Sequence, residues 1–171
     1  MNTWDALRSR RNVRQYTDDP IAPTDLDRIL EAGRRSPSAR NRQWWDLVVC
    51  TDRQQLSELA GVWQGATHIA GAAAAVAVIV ADIDDTQTRE TRQYDLGQLT
   101  MSMMLAATDL GIGSAHAASR DQDLARRILG FPDDRICAWL IGLGYPADRP
   151  LTPVKNPDRR PLDDVVHRGN W

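Results

Sequence analysis

The sequence has 171 residues, of which 42% are hydrophobic and 26% are charged, and its formal net charge is -2. A chain of this length is expected to fold as one domain, residues 1–171, around its own core. The nearly balanced charge excludes the strongly basic surface that nonspecific binding to nucleic acid or to an anionic membrane requires. We therefore expect neither as a partner, and an anionic ligand would have to meet a local basic cluster.

The hydrophobic pattern indicates neither a secretory signal nor a membrane anchor. Residues 1–14 are polar and arginine-rich, without the apolar stretch of a signal peptide. The longest uncharged apolar run, residues 69–81, is much shorter than the ~20 residues that span a bilayer. Cys50 and Cys137 lie singly in apolar segments, as reduced core residues do. The expected location is therefore cytoplasmic.

Helix and strand patterns alternate in the first half of the chain. Thr3 is a suitable N-cap for a short helix, and Thr24 for a second helix that runs to about Arg35. Residues 45–51 (WDLVVCT) are rich in β-formers and predict a buried strand, which a short helix over residues 52–60 follows.

The second half begins with a central strand predicted over residues 73–81. Apolar residues then recur at helical spacing over residues 94–110, on nearly all sides, which predicts a helix buried almost all round and suited to a subunit interface. Small residues follow Gly111. A short helix over residues 121–129 and a third central strand over residues 135–144 complete the predicted elements.

Residues 146–171 hold five of the nine prolines and cannot form a compact element alone. Their apolar residues, Leu162, Val165, Val166 and Trp171, favour an extended arm laid across another surface. A small domain offers little surface of its own for such an arm, which suggests a partner subunit.

Two basic clusters are candidates for binding a phosphate. Residues 10–14 (RRNVR) place three guanidinium groups and one amide just past a helix end, and fork-shaped donors of this kind suit a phosphate. Arg159 and Arg160 could close on the same anion if the arm returns to the N-terminus. The alternative for both clusters is ordinary solvated surface charge.

Three further segments could border a ligand. The polar loop of residues 36–43 (SPSARNRQ) could hydrogen-bond a ribityl chain or a heterocycle edge, or form only a turn. Residues 111–114 (GIGS) fit a helix C-cap or backbone N–H groups brought close to a flat ring. His116 could face such a ring, whereas the other histidines fit local hydrogen bonding. One of Trp44 and Trp45 could border the pocket.

The sequence lacks the motifs of several common enzyme classes. It contains no Gly-x-Gly-x-x-Gly, no Walker loop, no His-Glu-x-x-His, no Cys-x-x-Cys and no Gly-x-Ser-x-Gly. A Rossmann dinucleotide site, a metal site and a serine hydrolase site therefore have no support.

Five segments, in the same order and at similar spacing, resemble the nitroreductase family across practically the whole chain. They are residues 10–16 (RRNVRQY), 36–45 (SPSARNRQWW), the helix 95–110 running into LGIGS, 141–146 (IGLGYP) and 159–167 (RRPLDDVVH). The resemblance implies an α+β fold, a nitroreductase-like three-layer sandwich with a central mixed sheet. It also implies a homodimer that exchanges its C-terminal arms and holds two FMN sites at the interface.

The resemblance further implies which residues bind FMN. Those expected at the phosphate and the pyrimidine side are Arg10, Arg11, Asn12, Arg14, Arg159 and Arg160. Those expected from the other subunit are Pro37, Ser38, Ala39 and Asn41. Those expected along the isoalloxazine are Gly113, Ser114 and Ala115, with Gln98 as a more distant contact. Because the flavin performs the redox chemistry, no catalytic side chain is expected.

Two departures from the family pattern concern the pocket. Most relatives have Gln-Pro-Trp where this chain has Gln43, Trp44 and Trp45, so a large aromatic residue replaces a rigid turn residue and could narrow the pocket or reshape the dimer. The chain is also short and lacks the extra helices with which some relatives cover the flavin. A more open site is expected.

The function implied by the resemblance is hydride transfer from NAD(P)H through FMN to a nitroaromatic, a quinone or a similar small molecule. Two alternatives stay open. One is a flavin-dependent oxidase or dehydrogenase of a tailoring pathway. The other is a non-catalytic protein that binds or stores FMN or a deazaflavin and shows negligible turnover.

Overall fold

Four strands form one antiparallel sheet in the computed structural model, which describes residues 1–171. In chain order they are β1 Trp45–Cys50, β2 Ala74–Ala81, β3 Gly113–Ala118 and β4 Arg135–Gly144. Their spatial order is β1-β2-β4-β3, so β2 and β4 are central and β1 and β3 are the edges.

Five α-helices surround this sheet. They are α1 Thr3–Ser9, α2 Pro23–Arg34, α3 Arg53–Leu59, α4 Thr86–Asp109 and α5 Gln122–Leu129. Short 3-10 segments lie at Ala39–Asn41, Ala60–Val62, Gln64–Gly71 and Leu162–Asp164. None of the helices has the length and apolar character needed to cross a membrane.

The core lies on both faces of the sheet because β2 is apolar at every position (AAVAVIVA). Ala75, Ala77 and Ile79 face a cluster that α3 and α5 complete. The alternate residues of β2 face the second cluster, to which α2 contributes Ile29 and α4 contributes Leu99. A strand buried on both faces has no polar side, which explains the continuous apolar run.

The strongest sequence patterns are confirmed. Residues 135–144 form β4 with the predicted bounds, and the predicted central strand over residues 73–81 is β2. The short helices predicted over residues 52–60 and 121–129 are α3 and α5. Asp52 caps α3, and Asp121 caps α5. Both cysteines are buried and free.

Several local predictions are wrong. The strand over residues 45–51 is an edge strand with only Cys50 buried, because β1 has a neighbour on one side only. The first helix is capped by Asn2, whose side chain accepts from the N–H of Asp5, not by Thr3. The second begins at Pro23, so Thr24 lies inside its first turn, because proline suits the first helical position.

The long helix also differs from its prediction. It begins at Thr86, well before residue 94, because the Asp85 side chain accepts a hydrogen bond from the N–H of Thr88 and caps it there. It is not buried all round, since Tyr94 is 73% and Met101 is 41% exposed. One side of α4 is therefore open in the isolated chain.

The expectation of a mixed sheet is corrected within one chain, because all three strand pairings are antiparallel. The single parallel pair is an isolated bridge between Asn12 and Ser114. The connections between strands are long enough for either direction, so hydrophobic patterns alone could not determine it. The segment of small residues after Gly111 proves to be β3, which its low β-propensity concealed.

The C-terminal arm, residues 146–171, contains no strand or α-helix and one 3-10 segment, Leu162–Asp164. Near its start it is fixed to the N-terminal segment, where the N–H of Ala147 donates to the carbonyl of Gln15 and the N–H of Val154 to that of Arg8. Beyond this point its side chains are exposed, and Trp171 at its end is 99% exposed.

Candidate functional site

The segment after α1 runs beside the edge strand β3. The N–H of Val13 donates to the carbonyl of Ser114, and Asn12 forms a bridge with the same residue. The approach requires a glycine at position 113, because a Cβ there would lie 2.7 Å from the Cβ of Val13. Position 113 therefore determines how closely the basic segment lies to the sheet.

A cavity of about 600 Å³ opens where this segment meets the C-terminal arm. We call it the basic cavity. Its charged lining comprises Arg8, Arg10, Arg11, Lys155, Arg159 and one carboxylate, Asp158, and Asn12 also lines it. Its volume falls within the ordinary range for cofactor sites. Five cationic groups against one anionic group favour an anionic ligand.

Arg10 occupies a central position in this lining. Its Nη1 donates to Oδ1 of Asn12 at 3.0 Å and lies 4.0 Å from Sδ of Met104 on α4. Burial, and then the positive charge of Arg159, lower the pKa of the Arg10 guanidinium. A phosphate placed between Arg10 and Arg159 would relieve that repulsion through charge-assisted hydrogen bonds.

The other predicted phosphate ligands differ in their availability. Arg11 lines the cavity but already donates to Oδ1 of Asp148 and to the carbonyl of Arg149, both at 2.7 Å, so it fixes the arm. Its guanidinium holds the pKa of Asp148 below the usual range. Arg160 donates to the carbonyl of Asp164 at 2.5 Å and does not line the cavity.

Arg14 lies outside the basic cavity, exposed and without an ion pair. Its positive charge contributes to the lowered pKa of His116, behind burial and Arg10 among the causes. The His116 ring meets the Trp139 ring edge to face, with 5.6 Å between ring centroids. The lowered pKa favours a neutral imidazole at this position.

His116 and Trp139 belong to a second cavity of about 280 Å³, which we call the aromatic cavity. Arg10 lines both cavities, and Met104 of α4 lines the aromatic one. A basic cavity joined through Arg10 to an aromatic one suits a ligand with a phosphate at one end and a flat ring at the other, as FMN has.

The residues expected along the flavin ring, Gly113, Ser114 and Ala115, are buried in β3. The Oγ of Ser114 is buried and has no hydrogen-bond partner within the chain. The carbonyl of Ala115 lies 3.3 Å from Nε2 of His68. None of the three lines the basic or the aromatic cavity, and the segment of Asn12 and Val13 covers this edge of the sheet.

The loop of residues 36–44 is held on α4 by one buried carboxylate. Asp95 is 2% exposed, and its Oδ2 accepts from the N–H of Ala39 at 2.9 Å and from Nε1 of Trp44 at 2.7 Å. Its Oδ1 lies 3.5 Å from Nε2 of Gln98. Trp44 is thus a hydrogen-bonded anchor of this loop.

Sequence reasoning missed Asp95, although a signal was present. Asp95 lies four and eight residues before Leu99 and Met103, which are buried, so helical spacing places it on the inner face of α4. A carboxylate on that face needs N–H donors, and the loop supplies them.

The same loop carries an unusual backbone. Arg40, Asn41 and Gln43 have φ angles of 54°, 56° and 48°, in the left-handed region. The Oγ of Ser38 accepts from the N–H of Gln43 at 2.8 Å and stabilises the turn. Non-glycine residues in this region cost on the order of 1 kcal/mol or more each, and such strain clusters at functional sites.

Within one chain the loop does not reach the basic cavity. None of Pro37, Ser38, Ala39 and Asn41 lines either that cavity or the aromatic one. Pro37 borders a shallow groove along α4, together with Gln98. The chain therefore brings together Arg10, Arg11, Asn12 and Arg159, with Gly113 to Ala115 alongside, and keeps the loop apart.

Comparison with known proteins gives a consistent result. The model of the nitroreductase family matches residues 7–82 and 61–145. An FMN reductase (NAD(P)H) of Bacillus subtilis is 29% identical over 191 aligned residues, covering 97% of this chain and 73% of that protein. An NADH dehydrogenase of Thermus thermophilus is 28% identical over 195 aligned residues, covering 94% of this chain and 93% of that protein.

A solved structure shares the fold. An FMN-dependent nitroreductase from Clostridium difficile superimposes with a TM-score of 0.84 at 22% sequence identity, covering 98% of this chain and 99% of that one. The arrangement of strands and helices described above is therefore that of an established group of folds.

Proposed function

We propose, because this chain belongs to the nitroreductase family, that it is an FMN-dependent oxidoreductase. It transfers a hydride from NAD(P)H through FMN to a small-molecule acceptor such as a nitroaromatic or a quinone. The observation that carries the proposal is the pair of cavities that share Arg10. Relatives that are named as flavin oxidoreductases, including the FMN reductase (NAD(P)H) of Bacillus subtilis, support it.

The residues of the basic cavity would bind the phosphate of FMN. Arg10 donates to Asn12, and both Arg10 and Arg159 line this cavity. Arg11 holds the arm through Asp148 and thereby keeps residues 154–159 at the cavity. Bound FMN would supply the two-electron chemistry, while these residues fix its position and balance its charge.

The edge of β3 would lie along the flavin ring. Gly113, Ser114 and Ala115 lie beside the basic segment through the pairing of Ser114 with Asn12 and Val13, and the buried hydroxyl of Ser114 has no partner within the chain. Neutral His116 and Trp139 would form the aromatic wall. No side chain in this arrangement has to act as an acid or a base.

The proposal includes a homodimer of single-domain chains with exchanged C-terminal arms and a three-layer arrangement around each sheet. Three features support it. The side of α4 with Tyr94 and Met101 is open, the end of the arm with Leu162 and Trp171 is exposed, and the loop of residues 36–44 does not reach its own basic cavity. In such a dimer the loop of one chain would complete the cofactor site of the other.

Turnover with purified, FMN-reconstituted protein tests the function. NADPH or NADH oxidation should be fast only when a quinone or a nitroaromatic acceptor is present anaerobically. A protein that binds FMN or a deazaflavin tightly but shows no turnover would favour the storage alternative. Flavin reduction by a non-nicotinamide donor alone would favour the oxidase or dehydrogenase alternative.

Mixed dimers test the shared site. Arg10→Ala removes a phosphate ligand, and Asn41→Asp places a carboxylate on the loop. If each site combines the basic cavity of one chain with the loop of the other, a mixed dimer has one site with both changes and one with neither. Co-refolding the two inactive variants should restore activity. Equal inactivity of the mixture would contradict the shared site.

A further inference from the structure

We propose that Arg40 and Arg42 form a second phosphate site, which binds a phosphate group of the adenosine half of the nicotinamide dinucleotide. The inference rests on the proposed function and extends it to the recognition of the electron donor. It assigns a role to two arginines that lie between the expected FMN contacts of the loop without belonging to them.

A separate cavity of about 260 Å³ carries the inference. Its polar lining consists of Arg40, Arg42, Gln87, Thr88 and Thr91, and no carboxylate lines it. The two guanidinium groups and the amide of Gln87 provide donors around a small volume, whereas the Thr91 hydroxyl already donates to the carbonyl of Gln87. That volume suits one phosphate and part of a sugar better than a whole dinucleotide.

The two arginines have free hydrogen-bonding capacity. Both are exposed, and neither forms an ion pair. Arg34 and Arg35, a few residues earlier, show the contrast, since both donate to the carboxylate of Glu31 at 2.6 and 2.7 Å. Glu31 thus neutralises its own neighbours, whereas Arg40 and Arg42 keep their charges for another anion.

Asp95 and Trp44 hold this site in place. The guanidinium carbon of Arg42 lies 4.9 Å from the centroid of the Trp44 ring, a cation–π distance. The indole is itself fixed by Asp95, whose Oδ2 is occupied by Nε1 of Trp44 and the N–H of Ala39. Asp95 on α4 therefore stabilises the loop through Ala39 and Trp44, and it forms no ion pair with Arg40 or Arg42.

The position of this cavity favours the nicotinamide donor as its ligand. Ala39 lines the cavity and belongs to the loop expected at the flavin of the other chain. A dinucleotide whose nicotinamide lies over that flavin must extend its adenosine half away from the ring. Arg40 and Arg42 follow Ala39 by one and three residues in the same loop. Their planar guanidinium groups can bind a phosphate through paired N–H donors.

Steady-state kinetics with three donors tests the inference. The FMN-loaded protein is compared with the double variant Arg40→Gln/Arg42→Gln, using NADPH, NADH and reduced nicotinamide mononucleotide, which lacks the adenosine half. Arg127→Gln is the matched control, because Arg127 is exposed and unpaired on α5, outside this cavity. Bound FMN per chain is measured for each variant to show that the flavin site is intact.

We expect the double variant to raise the KM of a dinucleotide donor by roughly ten-fold or more, with little change in kcat, because charged hydrogen bonds to the phosphate are lost. The mononucleotide should be unaffected. An effect on NADPH alone identifies the 2′-phosphate, and an equal effect on NADPH and NADH identifies the pyrophosphate.

Unchanged KM values for both dinucleotides, or an equal rise for the mononucleotide, would overturn the inference while the oxidoreductase function stands. Failure of the function itself gives a different result, because the wild-type protein would then oxidise none of the three donors.

Discussion

The basic cavity and the loop of residues 36–44 are both expected at one cofactor, yet they are built in opposite ways. The cavity is assembled from the two ends of the chain, with Arg10 after α1 and Arg159 in the arm, and its cations face one another. The loop is local, strained and fixed by a single buried group, Asp95. The cavity needs a ligand to balance its charge, whereas the buried anchor of the loop already has its hydrogen-bond partners.

The difference shows how the two regions should respond to substitution. Changes in the basic cavity should weaken ligand binding and leave the fold intact, because its side chains are available to solvent. Changes at Asp95 should destabilise the protein first and affect ligands through the loop.

The largest effect is expected from Asp95→Ala. It leaves the N–H of Ala39 and Nε1 of Trp44 without an acceptor, which should lower the free energy of unfolding by about 2–4 kcal/mol. Chemical denaturation measures the change. Asp95→Asn, which keeps one oxygen acceptor, should lose less.

The control for Asp95 is Asp46→Ala. Asp46 accepts from Arg135 at 3.1 Å on the exposed side of β1, and a surface ion pair of this kind contributes about 1 kcal/mol at most. Equal losses for Asp95→Ala and Asp46→Ala would show that Asp95 does not hold the loop.

Arg10→Ala comes next and should act on binding alone. Loss of a charged hydrogen bond to the FMN phosphate should raise the Kd for FMN by roughly 100-fold, with an unchanged unfolding midpoint for the apoprotein. Flavin fluorescence titration measures the Kd, with Arg127→Ala as control. An unchanged Kd for FMN would show that Arg10 does not bind the phosphate.

A smaller effect separates the two arginines of the arm. Arg159 lines the basic cavity and Arg160 does not, although each donates to a backbone carbonyl of the arm, Arg159 to that of Asp158 and Arg160 to that of Asp164. Arg159→Gln should therefore raise the Kd for FMN by roughly ten-fold and Arg160→Gln much less. The same flavin fluorescence titration measures both Kd values. A larger rise in Kd for Arg160→Gln would show that the arm takes a different course when FMN is bound.

The smallest effect concerns pH. Burial, together with the charges of Arg14 and His116, lowers the pKa of His68 in the folded protein, against the hydrogen bond to Ala115. The unfolded chain then binds a proton more readily, so this stability is present above the unfolded pKa of about 6.5 and is lost as the pH falls through the folded pKa.

Replacing His68 tests this pH dependence. Unfolding free energies measured at several pH values between about 7.5 and 5.5 should fall less steeply in His68→Gln than in the wild type. Identical slopes would mean that another group, such as His116, is responsible.

Much of this fold is predictable from local patterns. β2 and β4 are continuous apolar runs, and α3 and α5 begin at capping aspartates, so their bounds follow from the sequence. β3 is not recognisable in the same way, because glycine, serine and alanine carry little strand preference. Its pairing depends on β4, which lies later in the chain.

The candidate site likewise has parts that local sequence patterns indicate and parts that they do not. The basic residues 10–14 could be singled out as a candidate for binding a phosphate, but the return of Arg159 to the same cavity depends on the hydrogen bonds of the arm. The anchoring of Trp44 on Asp95 joins residues that are 51 positions apart, so no short motif contains it. Positions inside one segment could be predicted, and contacts between distant segments could not.

The visible absorption spectrum of the purified protein tests the central claim most directly. The protein is reconstituted with FMN, freed of unbound flavin, and recorded anaerobically before and after NADPH or NADH and then a quinone. We expect bound flavin bands that bleach with at least one nicotinamide and return with the quinone. A colourless protein that does not retain FMN would contradict it.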